Sequence, residues 1–181
     1  MVGRGQRIVG SLVGVLAGVG FAVGCASDPL SISNGRLVHR KYGFSFAQPA
    51  SASPPWQRVE VDDTLAAWER TGGARISVQS ECGRHPPIPQ VQARSLLIGV
   101  EKKELRQSGP VAVGPWPGWS QVLDVGGETR DLHLKTVTLV AEGCTVDFLL
   151  LAGDDFDAAE PGFDSWWQSF EMAEPPPEAA S

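Results

Sequence analysis

The sequence predicts an α+β fold: a single domain, mostly antiparallel β-sheet, covered by a few helices. Three observations carry that reading. Residues Ala74 to Cys82 alternate, with Ala74, Ile76, Val78, Ser80 and Cys82 on one face and Arg75, Ser77, Gln79 and Glu81 on the other, which is the period of a half-buried strand. Gly72-Gly73 and Glu142-Gly143 stand between such runs as hairpin turns. Near the C-terminus, Phe163, Trp166, Trp167 and Phe170 fall at i, i+3, i+4 and i+7, one helical stripe.

The chain opens with Arg4 and Arg7 and no acid, and Ile8 to Gly24 is a run of 17 uncharged residues. This is the order of a secretory signal. The run falls short of the roughly 20 apolar residues of a membrane-spanning helix. Its row of Gly10, Gly14 and Gly18 would nevertheless suit packed transmembrane helices, and that is the rival reading. Ala22-Val23-Gly24-Cys25 resembles the lipobox of bacterial lipoproteins. That resemblance implies cleavage of residues 1–24 and lipid on Cys25, with several acyl chains giving a stable membrane anchor. Ala26 after the Cys implies, by the family's sorting rule, the outer membrane facing the periplasm in a Gram-negative host.

Removing residues 1–24 leaves 157 residues, enough for one domain with a real core. The full chain carries −6; losing Arg4 and Arg7 takes 15 basic residues to 13 against 21 acidic, so the mature part carries −8. An acidic chain without basic clusters argues against nucleic acid as a partner. Of three cysteines, Cys25 is assigned to lipid, which leaves Cys82 and Cys144 as a pair to oxidise in an exported protein.

Residues 25–35 (CASDPLSISNG) read as lipidated Cys and flexible tether, the rival being a first strand laid on the domain. The globular domain is placed at 36–172. Leu37 to Arg40 and Phe44 to Phe46 are strand-like around Tyr42-Gly43, and Trp56 to Val61 alternates. Thr64 to Arg70 and Ala74 to Cys82 form the first hairpin. Gln90 to Lys103 reads as a helix with Val91, Ser95 and Ile98 on its apolar stripe. Leu105 to Val113 is left unassigned. Pro115-Trp116-Pro117-Gly118-Trp119 reads as a loop. Gln121 to Val125 and Thr129 to Val140 are strands, and the second turns near Glu142-Gly143 into Cys144, Val146, Phe148 and Leu150, which share a face. Asp154-Asp155 can cap the final helix, which Pro161 opens. The aromatic stripe there is assigned to the core, with a membrane interface as its rival. Residues 173–181 read as a disordered tail.

Tyr42-Gly43-Phe44-Ser45-Phe46, Pro49 and Trp56, with a hairpin, a helix, antiparallel strands and a C-terminal helix after them, resemble the PsbP-like (PsbP/Mog) superfamily over residues 36–172. The resemblance implies a PsbP-like α/β/α sandwich and a non-catalytic accessory or docking role. It carries no catalytic residue onto this chain. One departure is a longer gap from Pro49 to Trp56.

The sequence holds no Gly-x-Ser-x-Gly elbow, phosphate loop, His-Glu-x-x-His pair or dinucleotide fingerprint. Histidines stand at 39, 85 and 133. Cys82-Gly83-Arg84-His85, with Cys144 and a second His, is a rival zinc set to the disulfide. Asp154-Asp155-Phe156-Asp157 lacks the Gly and distant Glu of a calcium loop. Asp62-Asp63 are adjacent and diverge, a poor acid–base pair. No catalytic residue, metal or cofactor is assigned. Trp116 and Trp119 are the candidate binding surface, because exposed Trp calls for a cover. The expected protein is a non-catalytic, lipid-anchored binding or accessory module for an envelope partner. Its rivals are a carrier of lipid or another apolar ligand in envelope transport, and an envelope hydrolase or metal enzyme.

Overall fold

The computed structural model describes residues 30–50, 54–83, 88–100, 103–126 and 131–172. The signal segment, Cys25, His85 and the tail at 173–181 lie outside the described residues. In chain order the described elements are β1 (Leu30–Ser33), β2 (Arg36–His39), β3 (Phe44–Ala47), β4 (Gln57–Val59), β5 (Ala66–Glu69), β6 (Arg75–Cys82), α1 (Pro89–Ser95), β7 (Lys103–Val113), β8 (Trp116–Gly126), β9 (Asp131–Ala141), β10 (Cys144–Ala152), α2 (Phe156–Trp167) and β11 (Glu171–Met172).

Two antiparallel sheets result: a small one ordered β1-β2-β3-β11 and a large one ordered β4-β5-β6-β10-β9-β8-β7. The alternation of β6 and β10 puts Ile76, Val78, Val146, Phe148 and Leu150 on one face of the large sheet, all buried. The small sheet and α2 close over that face, because Phe44, Phe46, Phe163, Trp166 and Phe170 join the same core cluster. The other face carries α1 over β8, β9 and β10. Both core clusters close within residues 30–172, so this stretch folds around its own interior.

The middle of the core is a meeting of rings. Trp166 stands edge-on to Phe46 at 5.8 Å, to Phe148 at 5.1 Å and to Trp68 at 5.4 Å. Each such ring contributes on the order of 2–3 kcal/mol by burial. The indole N–H of Trp166 donates to the carbonyl of Ala47 at 2.9 Å, so its one polar atom is satisfied inside the core.

Several expectations are corrected. The tether does not extend to residue 35: Leu30 is buried, and β1 pairs with β2 from Leu30↔His39 to Ser33↔Arg36. Asn34 at φ +50 and Gly35 at φ +76 form the turn, the pairing of left-handed residues that a two-residue hairpin requires. The helix expected over 90–103 stops at Ser95, and Gly99 at φ +86 turns the chain into β7. Residues 115–119 are not a loop. Gly114 at φ +54 and Pro115 make the turn between Val113 and Trp116, and the rest is strand. Pro117 is tolerated there because the pairing of β8 with β9 begins only at Gly118. The last helix starts at Phe156, with Pro161 inside it. Pro161 sits on the exposed side, where water can take the carbonyl that loses its helical partner.

Candidate docking face

Cys82 and Cys144 lie directly opposite each other on β6 and β10 and are bonded, with an S–S distance of 2.03 Å. Both sulfurs are consumed, so the Cys-x-x-His set has no thiolate to offer a zinc ion. Asp155 does not cap α2 with its side chain. Its carboxylate instead takes the Nε–H of Arg70 at 3.3 Å. Asp62 and Asp63 belong to the turn between β4 and β5, with Asp63 at φ +59.

Trp116 and Trp119 do not form one surface. Three residues apart on a strand, they point to opposite faces. Trp116 packs with Val111 and Val113 against the main core. Trp119 is half-buried on the face that α1 covers, beside Leu97, Leu105 and Leu123.

That second face has the more informative surface. Ala93 of α1 and Leu97, just beyond its end, are buried. The helix is held from below by Gln121, whose Nε2 donates to the carbonyl of Ala93 at 2.6 Å. Under α1, Thr138 Oγ1 donates to Asp147 Oδ1 at 2.5 Å. The stripe expected to be buried, Val91 and Ile98, faces out instead. Ile98 is 82% exposed, and Ile88, Val91 and Leu105 are also large, apolar and exposed. Of these, only Val91 belongs to α1 itself; Ile88 stands just before the helix and Ile98 just after it. One polar bond, from Gln121, lies on the inward side of α1, while exposed aliphatic side chains stand in α1, at its two flanks and on the neighbouring edge strand β7.

Between α1, β7 and β8 this face holds a pocket of about 190 Å³. Leu97, Leu105, Leu123 and Trp119 supply its apolar lining, and Arg94 and Lys103, both exposed, supply its charge. Lys103 spends one donor on the carbonyl of Leu97 at 2.7 Å, which ties β7 to the end of α1. Among the described residues neither cation is paired with a carboxylate. The sequence points to Trp119 but not to this setting.

A second cluster lies across the sheet. Asp124 accepts from Arg106 Nε through Oδ2 and meets His133 Nδ1 through Oδ1, each at 2.6 Å. The Arg106 guanidinium holds the Asp124 carboxyl below its usual value. These residues line an open cleft whose described lining has no Ser, Thr or Cys. They form a ladder of charge from β7 to β8 to β9. A carrier would need room where the sheets and α2 meet, and that layer is filled by Phe44, Phe46, Phe148, Phe163, Trp166 and Phe170.

No family model matches this chain, and no curated protein does. Solved structures do. The chain is similar to the solution structure of cyanobacterial PsbP (CyanoP) from Synechocystis sp. PCC 6803, with 16% identity over 85% of this chain and 98% of that one, at a TM-score of 0.55. It is also similar to the crystal structure of LpqN, a protein involved in cell envelope biogenesis of Mycobacterium tuberculosis. That match has 12% identity over 77% of this chain and 90% of that one, at a TM-score of 0.55. At these identities the likeness establishes the fold, which is PsbP-like.

Proposed function

We propose that this PsbP-like chain is a non-catalytic, lipid-anchored accessory protein of the bacterial cell envelope. It docks on another envelope component through the face built by α1, β7 and β8. The observation that carries the docking reading is the set of exposed aliphatic side chains in and around α1 and on the neighbouring edge strand. Exposed apolar groups are ordinary when scattered, but here Val91 in α1, Ile88 and Ile98 at its two flanks and Leu105 on β7 are all large and exposed, and such a set supports an interaction surface. The anchor rests on the lipobox-like Ala22-Val23-Gly24-Cys25. Placement in the envelope is supported by that motif, by the disulfide, which suits an oxidising compartment, and by likeness of fold to an envelope-biogenesis protein.

The test is a photo-crosslinking residue placed at Ile98 or Leu105 in the full chain, expressed in a bacterial host, with mass spectrometry of Cys25 in the same sample. The expected result is an acylated Cys25 and a covalent adduct to an envelope component from either position. Acylated chain without an adduct at either position would sink the docking face. An unmodified Cys25 in an exported chain would sink the anchor.

A further inference from the structure

We infer that the pocket between α1, β7 and β8 receives a single large apolar side chain from an acidic segment of a partner protein. This deepens the docking reading and rests on it.

Size comes first. At about 190 Å³ the pocket is below the roughly 300–1,000 Å³ of sites that enclose a small-molecule ligand. It suits one aromatic or branched aliphatic side chain, the kind of anchor on which interface energies concentrate. Its lining agrees: Leu97 and Leu123 are buried at the floor, while Trp119 and Leu105 are accessible at the sides. An incoming ring would stack or slot against the Trp119 indole.

Charge comes second. The chain is −6 overall, yet none of the pocket's described lining residues is acidic. Arg94 and Lys103 are therefore the charges the described lining presents, both positive, on a negative molecule. Opposed patches steer and orient association, and this one calls for carboxylates flanking the anchor. Ile88, Val91 and Ile98, before, in and after α1, are also exposed and apolar, and they offer further contacts to a partner segment longer than the anchor. A second copy of this acidic chain would bring net repulsion to the contact.

The experiment uses residues 26–181, which contain both core clusters whole. The acetylated, amidated peptide Asp-Glu-Phe-Glu-Asp is titrated to about 5 mM, where even a Kd of about 1 mM would fill most sites, and amide shifts are followed by NMR. Shifts should cluster at Arg94, Leu97, Lys103, Leu105 and Trp119. They should weaken as salt rises. They should be at least about tenfold weaker for the peptide with Ala at the anchor, and for Lys-Lys-Phe-Lys-Lys. Arg94→Glu and Leu105→Glu, both at exposed positions, should each abolish binding while leaving the thermal transition in place. Equal binding of the acidic and basic peptides, or no shifts at all, would overturn the inference. It would also be overturned if the same residues responded instead to phosphatidylglycerol vesicles, or to protein concentration alone. An adduct in the crosslinking experiment alongside a failed titration would leave the docking face standing and remove only this choice of partner.

Discussion

Thr138 and Asp147 face each other across β9 and β10, and the threonine hydroxyl donates to the carboxylate at 2.5 Å in a site where Asp147 is only 2% exposed. Burial pushes the Asp147 carboxyl up to about 6, and the nearby Glu81 adds to the rise, while Thr138 and Gln92 oppose it by donating hydrogen bonds. The unfolded carboxyl titrates near 4. Between about pH 4 and 6 the folded chain therefore binds more protons than the unfolded chain. The contribution of this group to stability falls as pH rises through that window and is flat above it.

Asp147→Asn should keep an acceptor for Thr138 and remove the ionisation. The variant should match the parent near pH 4 and exceed it at pH 7 by about 3 kcal/mol, the value of a two-unit shift. Urea unfolding of both chains from pH 4 to 8 measures the gap. A gap that did not change with pH would show that Asp147 carries no such penalty.

The Cys82–Cys144 bond closes a loop with a sequence separation of 62. Removing it frees that loop in the unfolded chain. Cys82→Ser with Cys144→Ser should cost roughly 4 kcal/mol in the chain-entropy account. Denaturation with and without reductant provides the comparison: the parent should lose stability on reduction, and the double variant should not respond. A parent indifferent to reductant would mean that the bond is absent in solution or contributes nothing.

Where pattern and burial coincide, the sequence is legible. The period of two in β6 and β10 and the helical spacing of Phe163, Trp166 and Trp167 each name a face, and those faces are buried. Three features are hidden by competing signals. Asn34-Gly35 is a strong hairpin signal, but it sits in a Ser-rich stretch that reads as linker. Trp116 and Trp119 share a Pro- and Gly-rich run, and only the pairing of β7 with β8 shows that Pro117 lies beyond the β9 ladder. Apolar stripes usually face the core, which would turn Val91 and Ile98 inward. In α1 a small residue, Ala93, and one hydrogen bond from Gln121 fill the inward side, which no periodicity rule anticipates. Of the candidate site, only Trp119 is legible in the sequence, because the pocket exists only once the consecutive elements α1, β7 and β8 pack against one another.

Arg70 links β5 to the start of α2. Its side chain is 7% exposed, and it donates through Nε to Asp155 Oδ2 at 3.3 Å and through Nη2 to the Asp155 carbonyl at 3.2 Å. The guanidinium also lies over the Trp56 ring, 5.4 Å from its centroid. Truncating one partner of such a pair leaves the other charge poorly solvated, a loss of about 3–5 kcal/mol for buried cases. Arg70→Met should approach that loss. Adding Asp155→Asn should recover part of it, because the orphaned charge is then gone. Chemical denaturation of the two single variants and the double variant gives the coupling, and strictly additive losses would mean that the pair acts as two independent residues.

Gly118 and Gly109 occupy neighbouring strands and predict opposite responses to one methyl group. A Cβ on Gly118 would come within 2.6 Å of the Thr138 carbonyl oxygen and 2.7 Å of Leu139 Cδ2, where β8 meets β9. The first of these contacts is backbone and cannot swing aside. A Cβ on Gly109, in the edge strand β7, would meet nothing within 4 Å. Gly118→Ala should therefore push β8 and β9 apart and cost about 1–3 kcal/mol, as overpacking does. Gly109→Ala should be neutral or stabilising by up to about 1 kcal/mol, because it reduces the freedom of the unfolded chain without strain in the folded one. Thermal unfolding of the two variants side by side decides the matter. Equal shifts for both would mean that the close approach of β8 to β9 at Gly118 relaxes at no cost.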